Sequence, residues 1–222
     1  MNFDQLFLQH VAASFDKQMA LGDIIGDNNW QFNMDAQTLS FGPRLNFKIQ
    51  VLGTESAYSN TWLWGWANEA SGIPPAMLKA SEALRALGVQ EQINELTQAE
   101  IPLTDQVNGH TLSMIASGVC NGQAYYRGPY EGGALYMLIR DENYPKQNVN
   151  PAVRIGSQFP QLISAMPINN HRLAFAHYAR FYGAKVTKND DLITAHFNDK
   201  NTIEAKFMPD NRLESLKVKA GQ

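Results

Sequence analysis

Apolar positions along the chain repeat with two periods, and each period marks a kind of element. Over residues 3–21, Leu8, Val11, Phe15 and Met19 fall at helical spacing and make one apolar stripe. Gly22 and Gly26 follow as stop signals. Residues 30–34 alternate, and Thr38-Leu39-Ser40-Phe41 follows across a short turn, which predicts a hairpin. The cleanest alternation is at 45–52, where Leu45, Phe47, Ile49 and Val51 point one way and Asn46, Lys48 and Gln50 the other. One buried and one wet face favours an antiparallel sheet. Residues 61–67 alternate again and predict a strand with Trp62, Trp64 and Trp66 on a single face.

Pro74-Pro75 opens a predicted helix whose stripe is Met77, Ala80, Leu84 and Leu87, with Gly88 just past its end. A helical turn near 91–96 and a helix over 108–119 come next. Two strands, 123–127 and 134–140, are joined by a loop carrying Gly128-Pro129 and Gly132-Gly133. Asp141 to Asn150 is polar and aperiodic, so it reads as the boundary between a main domain, 1–148, and a C-terminal portion, 149–222. Asn150-Pro151 starts a helix that Pro160 should break or kink. A helix over 170–182 follows, ended at Gly183. The rest predicts strands at 184–188, 192–197, 202–208 and 213–218, turning at Asn198-Asp199 and Asp210-Asn211. The expected class is α+β: a mainly antiparallel sheet, helices largely on one face, and an αα-ββββ portion at the C-terminus. No parallel βαβ rhythm is present.

Composition narrows the function classes. At 222 residues, 44% hydrophobic and 18% charged, the chain is globular rather than disordered. Net charge is −3, so the whole carries no basic footprint for nucleic acid or an anionic membrane. No secretory signal and no membrane-length apolar stretch is seen, and a cytoplasmic location is the default. Charge is uneven, with five bases against twelve acids in 1–120 and thirteen against nine in 121–222. That dipole suits a protein partner with a basic surface.

Familiar catalytic patterns are missing. Cys120 is the only cysteine, which removes disulfides and multi-cysteine metal sites and reads as a small core residue. His171 and His177 are six residues apart, about 240° around a helix, so they share no face for a metal. No phosphate loop, zinc-protease motif, nucleophile elbow, EF-hand or deaminase signature occurs. No metal and no cofactor is expected.

Two segments could carry chemistry. Gly53-Thr54-Glu55-Ser56 precedes Thr61-Trp62-Leu63-Trp64-Gly65-Trp66-Ala67-Asn68, which puts a carboxylate beside three of the four tryptophans. The tryptophans would form either a core face or the wall of a ligand groove, and Glu55 either a turn residue or a ligand-orienting group. Tyr125-Tyr126-Arg127-Gly128-Pro129-Tyr130-Glu131-Gly132-Gly133 combines polar-tipped aromatics with a guanidinium fork. It reads as a recognition loop or as a hairpin pairing Arg127 with Glu131. Together these motifs resemble a family of bacterial proteins known only as a domain of unknown function. Phe207-Met208-Pro209-Asp210-Asn211-Arg212-Leu213 also resembles that family's ending, departing at Met208 and Asn211. The resemblance implies no activity. It marks Glu55, the tryptophans and the Tyr-rich segment as family features.

The expected role is a binding or interaction protein for a protein partner or small ligand, for instance of immunity or chaperone type. Its expected contact residues are Glu55, Trp62, Trp64, Trp66, Tyr126, Arg127, Tyr130 and Glu131. The alternative is a small-molecule enzyme using Glu55 and Arg127 in an aromatic-walled cleft.

Overall fold

The computed structural model describes residues 1–198 and 200–221; Asp199 of the expected Asn198-Asp199 turn lies outside the described residues. The chain forms two compact units. One holds residues 1–7 and 17–145, the other residues 8–16 and 146–222. Helix α1 (Phe3–Ile25) contributes to both. It starts at an Asn2 capping box and runs through Gly22 to a cap at Gly26, whose φ is +51°. Its buried positions include Leu6, Leu8, Val11, Ala12, Asp16, Ala20 and Leu21, whereas Met19 of the expected stripe is exposed.

The first unit is built on a seven-stranded antiparallel sheet. Its spine is β3 (Leu45–Ser56), twelve residues long. Along one edge β3 pairs first with β2 (Thr38–Phe41), which continues to β1 (Trp30–Asn33). It then pairs with β4 (Thr61–Trp64), which continues to the short β5 (Glu100–Pro102). Its other edge pairs β7 (Gly133–Ile139), which pairs β6 (Ala124–Tyr130). Phe47, Ile49 and Val51 are buried with Leu39, Phe41, Met137 and Ile139 in one apolar cluster, as the alternation required. Helices α2 (Lys79–Glu91), α3 (Asn94–Thr97) and α4 (Gly109–Val119) follow in this unit. The fold is α+β and mainly antiparallel.

Several local expectations are corrected. The helix after Pro74-Pro75 begins as a 3-10 turn, Pro75–Met77, and α2 continues past Gly88 to a left-handed Gln92. Gly88 is there for space, because a Cβ would sit 2.6 Å from Leu96 Cβ. The β6 strand passes straight through Gly128-Pro129, and the hairpin closes at Glu131-Gly132, where Gly132 has φ +80°. Asp141 is not part of a loose linker. It is buried, and its carboxylate accepts from Lys48 N at 2.7 Å and Asn143 N at 2.8 Å.

In the second unit, α5 (Pro151–Ala165) and α6 (His171–Phe181) precede a four-stranded antiparallel sheet, β8 (Lys185–Asn189), β9 (Leu192–His196), β10 (Thr202–Phe207) and β11 (Leu213–Lys219). Pro160 lies inside α5 without ending it. Phe159 and Leu162 on either side are fully buried and hold both halves of the helix against the core. At the centre, Asp16 is 5% exposed and bound by three side chains: Arg154 Nε at 2.5 Å, Tyr178 OH at 2.7 Å and Tyr182 OH at 2.5 Å. Burial and the Asp16 charge push both phenols well above the usual tyrosine range. Among the described residues no helix is long and apolar enough to cross a membrane.

Candidate functional site

A one-residue irregularity decides what β3 presents on each face. Val51 pairs with Met137, but Gly53 pairs with Tyr136, so Leu52 is an extra residue in the ladder. After this bulge the alternation is inverted. Glu55 therefore shares a face with Trp62, Trp64, Tyr136, Arg127 and Tyr125, while Thr54, Leu135, Tyr126 and Tyr130 stay on the face of Val51. The proposed site residues are thus divided between two sides of one sheet.

On the Glu55 face both oxygens of the carboxylate are engaged. Oε1 accepts from the backbone N–H of Gly109, the first residue of α4, at 2.7 Å. Oε2 accepts from Tyr136 OH at 2.7 Å and lies 3.9 Å from Arg127 Nε. A negative group at a helix N-terminus meets the orphan N–H groups and the positive end of the dipole. Only glycine fits at 109, since a Cβ would lie 2.4 Å from Tyr136 Cζ and 2.8 Å from Glu55 Oε1. Beside this clasp, His110 Nδ1 and Tyr125 OH are 3.0 Å apart. Partial desolvation lowers the His110 pKa, opposed by the Glu55 carboxylate and aided by Arg127. Burial and the Glu55 carboxylate raise the Tyr125 and Tyr136 phenols.

The tryptophans do not line a groove together. Trp62 and Trp64 are fully buried, packed edge-to-face at 5.3 Å, and Trp62 packs on Tyr136 at the same distance. Trp64 Nε1 donates to Glu95 O at 3.0 Å, which ties β4 to α3. The expected three-residue ladder is corrected at Trp66. The strand ends at Trp64, and a 3-10 turn over Gly65–Ala67 turns Trp66 away to stack under Arg85, 4.3 Å from the ring centre. Arg127 is paired with Glu55 rather than with Glu131, which sits exposed in the hairpin turn.

The opposite face carries a cleft of about 250 Å³. Phe32 and Met34 from the β1 side, Val51, Leu135 and Ile73 form its apolar walls. Thr54, Asn68, Ser71 and Tyr130 supply polar atoms. Tyr130 is half-exposed, and Tyr58, 83% exposed, packs against Gly132 at the same hairpin tip. Tyr126 lies on this face too, but it is packed on Trp30 and Phe41. Of the residues expected from sequence, only Tyr130 lines the cleft. Phe32, Met34 and Ile73 were missed as site residues, although the alternation of Phe32 and Met34 placed both on one strand face.

A family model matches residues 4–142. The chain belongs to DUF6882, a family of unknown function. The match takes in nearly all of the first unit, with the Glu55 clasp, all four tryptophans and every residue of the cleft. It stops before α5, so the expected family ending at 207–213 falls outside it. No curated protein and no solved structure matched the chain.

Proposed function

We propose that this DUF6882 chain is a binding protein whose contact site is the cleft on the Val51 face, with Glu55 serving as a structural clasp. The observation that carries this reading is the contrast between the two faces. Both carboxylate oxygens of Glu55 are already bound to Gly109 and Tyr136, which leaves little capacity for a ligand. The cleft instead offers apolar area with a few polar atoms, the usual make-up of a recognition site. The enzyme reading keeps one specific support, the His110–Tyr125 pair beside the 42% exposed Arg127.

The test is binding of a neutral apolar dye such as Nile red to the folded protein. Ser71 is exposed at the cleft mouth, so Ser71→Trp fills the opening without disturbing the core. The expected result is loss of dye binding in Ser71→Trp and full retention in Arg127→Ala. The opposite pattern would move the site to the Glu55 face.

A further inference from the structure

The charge around the cleft points to what it holds. Met34 is followed by Asp35, Asn68 by Glu69 and Tyr130 by Glu131, and all three acids are exposed. No lysine, arginine or histidine is adjacent in sequence to any residue lining the cleft. Among the described residues none of the three acids takes part in an ion pair, whereas Asp16, Glu55, Glu91, Asp191, Asp210 and Glu214 all do. The unit as a whole has seven Lys and Arg against fourteen Asp and Glu. Three exposed carboxylates, each one residue along the chain from a residue of this largely apolar cleft, favour a partner whose apolar group is flanked by positive charge. The half-exposed ring of Tyr130 adds a face on which an ammonium or guanidinium group packs favourably.

The size of the cleft is compatible with a single anchoring side chain. Pockets for whole small molecules run to roughly 300–1,000 Å³. A volume of about 250 Å³ suits one large side chain with the rest of its partner lying outside. Resting on the binding reading above, we infer that the cleft receives one apolar side chain of a peptide segment in which lysine or arginine flanks that residue. The apolar contacts hold the anchor, and the acidic rim selects its neighbours and speeds encounter at low salt.

Fluorescence anisotropy with three short labelled peptides tests this on the full chain: a phenylalanine flanked by lysines, a phenylalanine flanked by glutamates, and a glycine flanked by lysines. The Lys–Phe peptide should bind at least about tenfold tighter than either of the others, by the usual size of charge and anchor effects. The triple variant Asp35→Asn, Glu69→Gln, Glu131→Gln, altered only at exposed positions, should remove most of the preference for lysine over glutamate. Ser71→Trp should abolish anchored binding. Equal binding of the two phenylalanine peptides, with both lost in Ser71→Trp, would overturn the charge inference and leave the cleft reading standing. Equal binding of the glycine and phenylalanine lysine peptides would overturn the anchored mode. Peptide binding untouched by Ser71→Trp would overturn the cleft reading itself.

Discussion

Truncating Glu55 and truncating Arg127 should have very different consequences, although the two form an ion pair. In Glu55→Ala, the Gly109 N–H and the Tyr136 O–H both lose their acceptor. An unsatisfied buried donor costs about 1–3 kcal/mol, and loss of the charge at the α4 N-terminus adds about 0.3–1 kcal/mol. Glu55 is 16% exposed, so water reaches part of the gap and the total should be about 2–4 kcal/mol. Glu55→Gln keeps one acceptor oxygen and should cost about 1–2 kcal/mol. Arg127 is 42% exposed and its nitrogen lies 3.9 Å from the carboxylate. Solvent screening therefore limits Arg127→Ala to about 0.5 kcal/mol. The four tryptophans, Trp30, Trp62, Trp64 and Trp66, all belong to the first unit, so their fluorescence in urea reports the unfolding of that unit. With a slope of about 1–3 kcal/mol per molar, Glu55→Ala should lower the midpoint by about 1–2 M and Arg127→Ala by less than 0.5 M, on the order of the same slope. A Glu55→Ala midpoint equal to the parent protein, or an Arg127→Ala loss as large as that of Glu55→Ala, would refute the clasp.

Two further outcomes concern the second unit. Asp16→Asn leaves the partly buried Arg154 without its counter-charge and should destabilise by about 2–3 kcal/mol, read by far-UV circular dichroism in denaturant; a cost under 1 kcal/mol, on the order of an exposed pair, would contradict the buried hub. His171 is buried, its Nδ1 accepts from Leu213 N at 3.1 Å, and burial followed by the Arg212 charge lowers its pKa below 6.5. The unfolded chain then takes up the proton first, so stability should be flat above pH 6.5 and fall as pH drops from there toward the folded value. Thermal melts of the parent and of His171→Asn, which keeps an acceptor, should show a smaller acid loss in the variant. A parent protein more stable at pH 5.5 than at 7.5, about one unit either side of the ordinary histidine value, would have the sign reversed.

Periodicity revealed the elements it can encode and missed what depends on distant partners. The alternation of Leu45 to Val51 fixed the buried face of β3, and the expected helix over 108–119 matches α4 to within a residue, while its Asn108 cap emerged only in the structure. The bulge at Leu52 was not read: Val51-Leu52 breaks the alternation and Gly53 follows, which ended the expected strand at 52, whereas β3 runs on to Ser56. Yet that residue sets Glu55 on one face with Trp62, Trp64 and Arg127, and leaves Tyr126 and Tyr130 on the other. Trp66 continued the alternation in sequence, but the chain leaves the strand at Gly65, where a Cβ would lie 3.1–3.2 Å from Leu78 and from two backbone oxygens of β3. Asp16 gave no signal, since its three partners are 138 to 166 residues away. The cleft was legible only in part: Phe32 and Met34 were placed on one strand face, while Ile73, Asn68 and Ser71 come from an irregular segment with no period to read.

The most direct test of the account is chemical-shift mapping on isotope-labelled protein titrated with a panel of small aromatic and aliphatic fragments. The cleft reading predicts shifts concentrated at Phe32, Met34, Ile73, Tyr130 and Leu135, with His110, Tyr125 and Arg127 unchanged. Shifts concentrated instead at His110, Tyr125 and Arg127, with the cleft residues silent, would contradict it and assign recognition to the Glu55 face.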